Sequence, residues 1–218
     1  MDYTKLGNSD LQVSRICLGC MGFGNAATGQ HSWTVDESAT RDIIKHALQA
    51  GINFFDTAIA YQNGTSEEYL GRALKDYAKR DNVVVATKFL PRSQQEIAAG
   101  VTGQEHIARQ LDLSLQQLDM DYVDLYIYHM WDYRTPVYDI LDGLNRQVKA
   151  GKVRYIGIAN CYAYQLAKAA ELRLSAEDIS YLEELYVPHK LVGVMAQNTQ
   201  DGNKKEQVWM KNAPQGMQ

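Results

Sequence analysis

Short runs of β-branched and aromatic residues alternate with amphipathic stretches over most of the sequence, and this alternation limits the possible folds more than any other feature. Strands are predicted over residues 16–19, 53–58, 83–88, 123–129 and 153–160, and helices over 36–50, 66–80, 103–118, 137–149 and from about 162 onwards. The third and fourth strands are almost continuously apolar, as is typical of strands covered on both faces of a parallel sheet. Repeated units of this kind leave two architectures, a doubly wound sheet or a (β/α)8 barrel.

Local signals mark where individual elements begin. Asp36 and Ser66 stand at the start of helical patterns, and each is predicted to cap its helix. The segment Tyr3–Val13 contains a turn at Gly7–Asp10, so it predicts a β-hairpin ahead of the first unit.

The composition is that of a globular protein and argues against several functional classes. Of the 218 residues, 45% are hydrophobic and 22% charged, and the formal net charge of −4 gives no basic footprint for nucleic acid. No stretch approaches the apolar length of a membrane span, and the first residues lack a signal-peptide pattern, so no membrane partner is expected. Three cysteines, an odd number, favour a reducing cytoplasmic location.

Polar residues stand at the ends of four successive predicted strands. Asp56, Lys88, His129 and Asn160 occupy these positions, and Tyr61 follows in the loop after Asp56. In a parallel barrel all carboxyl ends of strands lie on one face, where barrel enzymes build their sites. Any one of these residues alone is more often a loop hydrogen-bonding group, but four at corresponding positions favour a shared site.

These residue types support one kind of chemistry in particular. A tyrosine phenol has an ordinary pKa of about 10, and a neighbouring lysine ammonium lowers it. An aspartate holds that ammonium in place, and a histidine on the same rim can orient a carbonyl oxygen. An acid aimed at a carbonyl, without a candidate nucleophile, suggests reduction by hydride, which a cofactor must supply.

Six segments carry a shared pattern: Phe55–Tyr61, Ala86–Lys88, Leu125–His129, Gly157–Asn160, Leu18–Gly24 and Ala50–Phe55. Together they resemble the aldo-keto reductase family, in the branch that includes bacterial reductases and potassium-channel β-subunits.

The resemblance implies a (β/α)8 barrel that uses NADP(H) to reduce small-molecule carbonyl compounds. It implies that Tyr61 is the general acid, that Lys88 and Asp56 lower its pKa, and that His129 orients the carbonyl. Asn160 would hold the nicotinamide carboxamide, with Asp56 also beside the cofactor.

Two tryptophans in loops on the presumed active face are candidates for a substrate pocket. Trp33 follows the first predicted strand and Trp131 follows the fourth. A purely structural role for both is an equally open alternative. Cys17 and Cys20 have CxxC spacing, but a second pair is missing and no metal site is expected.

The sequence departs from the family after the fifth unit. A closed barrel takes about 250 residues, and too few remain after residue 170 for three more units. Residues 174–194 resemble the family's C-terminal extension, which indicates a join near residues 169–172. We therefore expect an incomplete barrel domain over residues 1–196 and a disordered polar tail over 197–218.

The absent segment bears on function, because in the family it carries further cofactor contacts and the residues that distinguish NADP from NAD. The leading hypothesis is an NADPH-dependent carbonyl reductase. The alternatives are a catalytically inactive truncated reductase and a regulatory cofactor-binding subunit. Open sheet edges would also favour a homo-oligomer.

Overall fold

The computed structural model describes residues 1–170, and the alternation of strands and helices is confirmed there. In chain order the strands are β1 (Tyr3–Lys5), β2 (Gln12–Ser14), β3 (Cys17–Gly19), β4 (Phe54–Asp56), β5 (Val84–Phe89), β6 (Val123–Tyr128) and β7 (Val153–Ile158). The helices are α1 (Glu37–Gln49), α2 (Thr65–Tyr77), α3 (Gln94–Ala98), α4 (Gly103–Leu118), α5 (Val137–Lys149) and α6 (Ala163–Ala169), with 3₁₀ turns at Tyr61–Gly64 and Arg80–Asn82.

Strands β3 to β7 form one parallel sheet in the order of the sequence. Gly19, Asp56, Ala86, Leu125 and Tyr155 are successive register partners across it. A doubly wound sheet reverses its strand order at a switch point, and this sheet does not. The described residues therefore form the barrel type of α/β sheet, with five of the eight strands of a closed barrel. Strands β1 and β2 pair antiparallel as the predicted hairpin.

One predicted cap is confirmed and the other is wrong. The Asp36 carboxylate accepts a hydrogen bond from the Ala39 backbone N–H at 2.9 Å and caps α1. Helix α2 instead begins after Gly64, whose φ of 90° only glycine adopts readily. Ser66 lies inside the helix. Its hydroxyl donates to the carbonyl oxygen of buried Cys20 at 2.7 Å instead of capping the helix.

The helices bury their apolar faces against the outer face of the sheet. Phe55, Leu70, Val85 and Leu111 are completely buried in this layer. Helices α2 and α4 lie so close that a Cβ atom on Gly71 would come within 2.2 Å of the Leu118 carbonyl oxygen. A larger residue at position 71 would therefore push these helices apart and loosen the layer that supports β5.

The amino-terminal edge of the sheet is held by one buried carboxylate. Asp124, at the start of β6, accepts hydrogen bonds from the Val85 backbone N–H (2.9 Å), Arg80 (2.7 Å) and Arg154 (3.0 Å). The Arg154 guanidinium also donates a hydrogen bond to the Asp10 carboxylate in the hairpin turn, at 3.1 Å. This network joins β5, β6, β7 and the hairpin at the edge opposite the predicted site.

The described chain divides into two compact units. The first comprises residues 1–131 and 135–160 and contains the sheet; the second, where described, comprises 132–134 and 161–170. In the second unit Gln165 donates to the Tyr133 hydroxyl at 3.0 Å, and the Tyr162 and Tyr164 rings stack. The predicted C-terminal extension and polar tail lie outside the described residues.

Helices of residues 1–170 are all too short or too polar to cross a bilayer.

Asp124→Asn is expected to lower the free energy of unfolding by about 3 kcal/mol, since it leaves two guanidinium groups without their buried counter-charge. Urea denaturation monitored by circular dichroism measures the effect. The control is Asp119→Asn, which removes an exposed ion pair with Lys75 and should cost less than about 1 kcal/mol. Equal losses in both variants would show that the Asp124 network does not hold the sheet edge.

Candidate active site

A buried lysine lies at the centre of the carboxyl edge of the sheet. Lys88, next to last in β5, is 7% exposed. Its ammonium donates to the Asp56 carboxylate, to the Thr57 carbonyl oxygen at 2.7 Å and to the Tyr61 hydroxyl oxygen at 3.2 Å. A desolvated charge is tolerated only when it is paired and hydrogen-bonded. All three partners come from β4 or the segment after it.

Tyr61 is placed by the turn that follows β4. Its backbone N–H donates to the Ala58 carbonyl oxygen at 3.0 Å, and the side chain is half-buried. Its ring lies 4.8 Å from the Lys88 ammonium and meets the His129 ring edge-on at 5.7 Å between centroids. The Tyr61 side chain is thus held between a buried cation and the imidazole ring.

His129 follows β6 and completes the group. Its backbone N–H donates to the Phe89 carbonyl oxygen at 3.0 Å, which fixes it beside the end of β5. Burial and then the positive charge of Lys88 lower the pKa of His129 to about 4. Its Nδ1 atom is buried without a hydrogen-bond partner among the described residues. The imidazole is therefore neutral at pH 7.

The structure brings four of the predicted site residues together and joins Asn160 to one of them by a hydrogen bond, whereas the two tryptophan side chains stand apart. Asp56, Lys88, Tyr61 and His129 form a cluster, which we call the rim tetrad.

Asn160 is exposed, has a φ of 51°, and donates from its side-chain amide to the His129 carbonyl oxygen at 2.7 Å. Trp33 and Trp131 follow β3 and β6. Among residues 1–170, neither indole stacks on or hydrogen-bonds to the rim tetrad.

Glu67 is a buried carboxylate beside the site that the sequence analysis missed. It lies on α2, fully buried, and accepts a hydrogen bond from the Thr87 hydroxyl, which belongs to the residue before Lys88. Burial raises its pKa to about 7, against the lowering effect of Thr87. Its spacing of three and seven residues from Leu70 and Leu74 is the signal that would have placed it on the buried helix face.

The two cysteines with CxxC spacing are separated by burial. Cys17 is exposed in β3, whereas Cys20 is completely buried. Partial desolvation of the sulfur atom and then the Asp56 carboxylate raise the pKa of the Cys17 thiol to about 11, so it is protonated at pH 7. Within the part of the chain that the structure describes, histidine, cysteine and carboxylate side chains form no group suited to a metal ion.

The fold and the rim tetrad together define a class: a barrel-type α/β protein with an aspartate, tyrosine, lysine and histidine at its strand ends. The sequence profile of the Aldo/keto reductase family matches residues 15–198. The chain belongs to this family.

Individual relatives agree with the profile. An NADP(+) aldo-keto reductase of Schizosaccharomyces pombe (yakc) is 35% identical over 195 residues, covering 88% of this chain and 55% of the relative. The versiconal hemiacetal acetate reductase of Aspergillus parasiticus is 36% identical over 183 residues, covering 76% and 52%. The holo structure of an aldo-keto reductase from Bacillus halodurans superimposes with a TM-score of 0.65 at 30% identity, covering 78% and 54%.

The chain spans about half the length of the curated relatives it matches. Their names are those of oxidoreductases, and the rim tetrad lies within the matched region.

His129 is expected to titrate with a midpoint at about pH 4 in the folded chain, since burial and Lys88 disfavour its charged form. Because this pKa lies below the ordinary value of about 6.5, the group destabilises the fold as pH falls from 6.5 towards 4. Histidine ring signals in an NMR titration, assigned by their loss in His129→Asn, measure the midpoint. A midpoint near 6.5 would contradict the buried placement.

The Glu67→Gln variant is expected to become more stable than the parent chain as pH rises, as measured by the free energy of unfolding. The pKa of Glu67 is raised by folding, so its stabilising contribution is complete below about 4.5 and is lost as pH rises through about 7. The difference in unfolding free energy between variant and parent should grow by about 3 kcal/mol between pH 4.5 and 8.

Chemical denaturation at several pH values tests this expectation. Glu68→Gln is the matched control, since Glu68 lies on the same helical turn with its carboxylate on the surface 3.5 Å from Arg72. A comparable pH-dependent gain in the control would refute the assignment to Glu67.

Proposed function

We propose that this protein reduces the carbonyl group of small aldehydes or ketones, with NADPH as the hydride donor and Tyr61 as the general acid. The observation that carries the proposal is the contact of 3.2 Å between the Lys88 ammonium and the Tyr61 hydroxyl, with Asp56 paired to the same ammonium.

The proton transfer follows from that contact. The Tyr61 hydroxyl would give its proton to the carbonyl oxygen of the substrate, so that the product is an alcohol. NADPH, when bound, would supply the hydride for the carbonyl carbon and leave as NADP⁺. The negative charge that this transfer leaves on the Tyr61 oxygen would be stabilised by the Lys88 ammonium, 3.2 Å away. Water then returns a proton to Tyr61. Asp56, paired with the Lys88 ammonium, would hold it in place beside the phenol.

His129 is suited to orient the substrate. A neutral imidazole can donate a hydrogen bond to a carbonyl oxygen without itself giving up a proton. Its ring meets the Tyr61 ring edge-on at 5.7 Å between centroids, which supports a shared role for the two side chains. The two donors would then converge on one oxygen atom.

The residues present fit a nicotinamide cofactor. The rim tetrad offers a proton and a cation but no hydride, so the chemistry needs a hydride donor beside it. NADPH supplies that hydride when bound. The exposed Asn160 amide follows β7 and donates to the His129 carbonyl oxygen at 2.7 Å, and we assign it to the nicotinamide carboxamide. The buried Nδ1 of His129 has no hydrogen-bond partner among residues 1–170. NADP is favoured because the S. pombe relative is named as an NADP(+) enzyme.

Trp33 and Trp131 are proposed to line the substrate pocket. Both follow carboxyl ends of strands, and Trp33 is 44% exposed. An exposed indole offers a flat apolar surface to a carbonyl substrate.

Tyr61→Phe is expected to lower kcat for aldehyde reduction by about 10³-fold, because only the acid is removed. NADPH binding, followed by quenching of protein fluorescence, should be unchanged. Tyr69→Phe, a tyrosine on α2 outside the rim tetrad, should keep full turnover. A Tyr61→Phe variant with undiminished turnover would refute the proposal.

The unmodified chain separates the alternative functions in the same assay. Cofactor quenching without turnover would favour a regulatory cofactor-binding subunit. No quenching at millimolar NADPH would favour an inactive truncated reductase.

A further inference from the structure

Gln62, the residue after Tyr61, is completely buried although it lies in a turn. Its side-chain oxygen accepts from the His31 backbone N–H at 2.8 Å, and its side-chain nitrogen donates to the His31 carbonyl oxygen at 2.8 Å. The same nitrogen lies 2.8 Å from the Thr34 hydroxyl and 3.2 Å from the Asn25 carbonyl oxygen. All these partners belong to residues 20–36, which we call the β3–α1 loop.

The β3–α1 loop encloses the Gln62 side chain closely. A Cβ atom on Gly29 would come within 2.2 Å of the Gln62 amide carbon, and one on Gly24 within 2.5 Å of the Gln62 Cβ atom. Separations this short exclude any larger residue at either position while Gln62 stays in place. The loop is therefore shaped around this one amide.

The Gln62 backbone adopts a conformation that its side chain disfavours. Its φ is 49°, and that of Asn63 is 53°, both in the left-handed region where a Cβ atom is crowded. Such strain persists only where surrounding contacts hold it. The hydrogen bonds between Gln62 and the loop are those contacts.

The hydrogen bonds from Gln62 to the His31 backbone also affect Trp33, through ring stacking. The His31 and Trp33 rings stack at 4.8 Å between centroids, with an angle of 26° between their planes. Gln62 fixes both backbone groups of His31, so it also fixes the ring against which Trp33 rests. Trp33 keeps 44% of its surface exposed, on the loop that leaves the carboxyl end of β3.

We propose that Gln62 is a positioning residue: it couples the turn that carries Tyr61 to the His31–Trp33 pair and holds Trp33 as a selective wall for planar aromatic substrates. The selectivity rests on the proposed carbonyl reduction, whereas the coupling to Trp33 does not. A fixed, exposed indole stacks well on flat rings and gains less from flexible alkyl chains.

The coupling is tested by ¹⁹F NMR of the full chain labelled with 5-fluorotryptophan, with the Trp33 signal assigned by its loss in Trp33→Phe. Gln62→Gly should shift or broaden the Trp33 signal and leave the Trp131 signal in place, which also reports an intact fold. Asn63→Gly is the matched control, since it relieves the same backbone conformation but releases only a bond to Thr28. An unmoved Trp33 signal in Gln62→Gly, or equal changes in both variants, would overturn the coupling.

If Gln62→Gly does not fold, Gln62→Glu gives the same test. The glutamate keeps an oxygen that accepts from the His31 N–H. Its second oxygen replaces the Gln62 nitrogen, which donated to the oxygen atoms of His31, Thr34 and Asn25. These contacts are lost, so the Trp33 signal should again move. A Trp33 signal at the parent position in Gln62→Glu would overturn the coupling.

The selectivity is tested by kinetics with benzaldehyde and butanal. Gln62→Gly should raise KM for benzaldehyde about tenfold, with kcat and the KM for butanal nearly unchanged. A merely structural role would lower kcat for both substrates alike, and that result would overturn the selectivity. A parent chain without turnover would refute the proposed function, while the ¹⁹F signals would still decide the coupling.

Discussion

The buried ammonium of Lys88 is the interaction on which the carboxyl edge of the sheet depends. A charge this far from water needs both a counter-ion and hydrogen-bond acceptors, and the structure supplies them from Asp56, Thr57 and Tyr61. These partners lie on β4 or just after it, so the requirements of one lysine determine how the chain leaves that strand. The same positive charge acts on the far side, where it adds to burial in keeping His129 neutral. Structure and chemistry are thus linked through a single group.

The two edges of the sheet have different roles, although a buried charged group lies at each of them. At the amino edge the Asp124 carboxylate joins two arginines and a strand backbone, and its hydrogen bonds are all used within the fold. At the carboxyl edge the Nδ1 atom of His129 lacks a hydrogen-bond partner among residues 1–170, and at the amino edge the Nε atom of Arg80 lacks one as well. A buried group left short of hydrogen bonds costs stability. Barrel enzymes place their sites at the carboxyl end of the strands, which is the edge where the rim tetrad lies.

Periodicity in the sequence predicted most of the fold, because the hydrophobic pattern of each strand or helix of this length is visible in its own residues. The predicted bounds of α4 and α5 match the structure, and the positions of Asp56, Lys88 and His129 at strand ends were sufficient to predict their meeting. The errors have one physical source, which is contact between residues far apart in sequence. Ser66 resembled a cap but bonds to Cys20, and Gln62 showed no local pattern because its partners lie some thirty residues away. Glu67 was detectable in principle from helical spacing, but its proton affinity arises from burial by neighbouring elements.

The alternation of side chains along β5 has a consequence for how the gene can vary in length. Thr87 faces the helices and bonds to Glu67, and Lys88 faces the opposite way into the rim tetrad. Gaining or losing one residue within this strand would exchange its two faces. The Lys88 ammonium would then face Glu67 on the helix side, and Thr87 would lie beside the Tyr61 phenol. An insertion or deletion of one residue inside β5 would therefore break the Thr87–Glu67 and Lys88–Asp56 contacts at the same time.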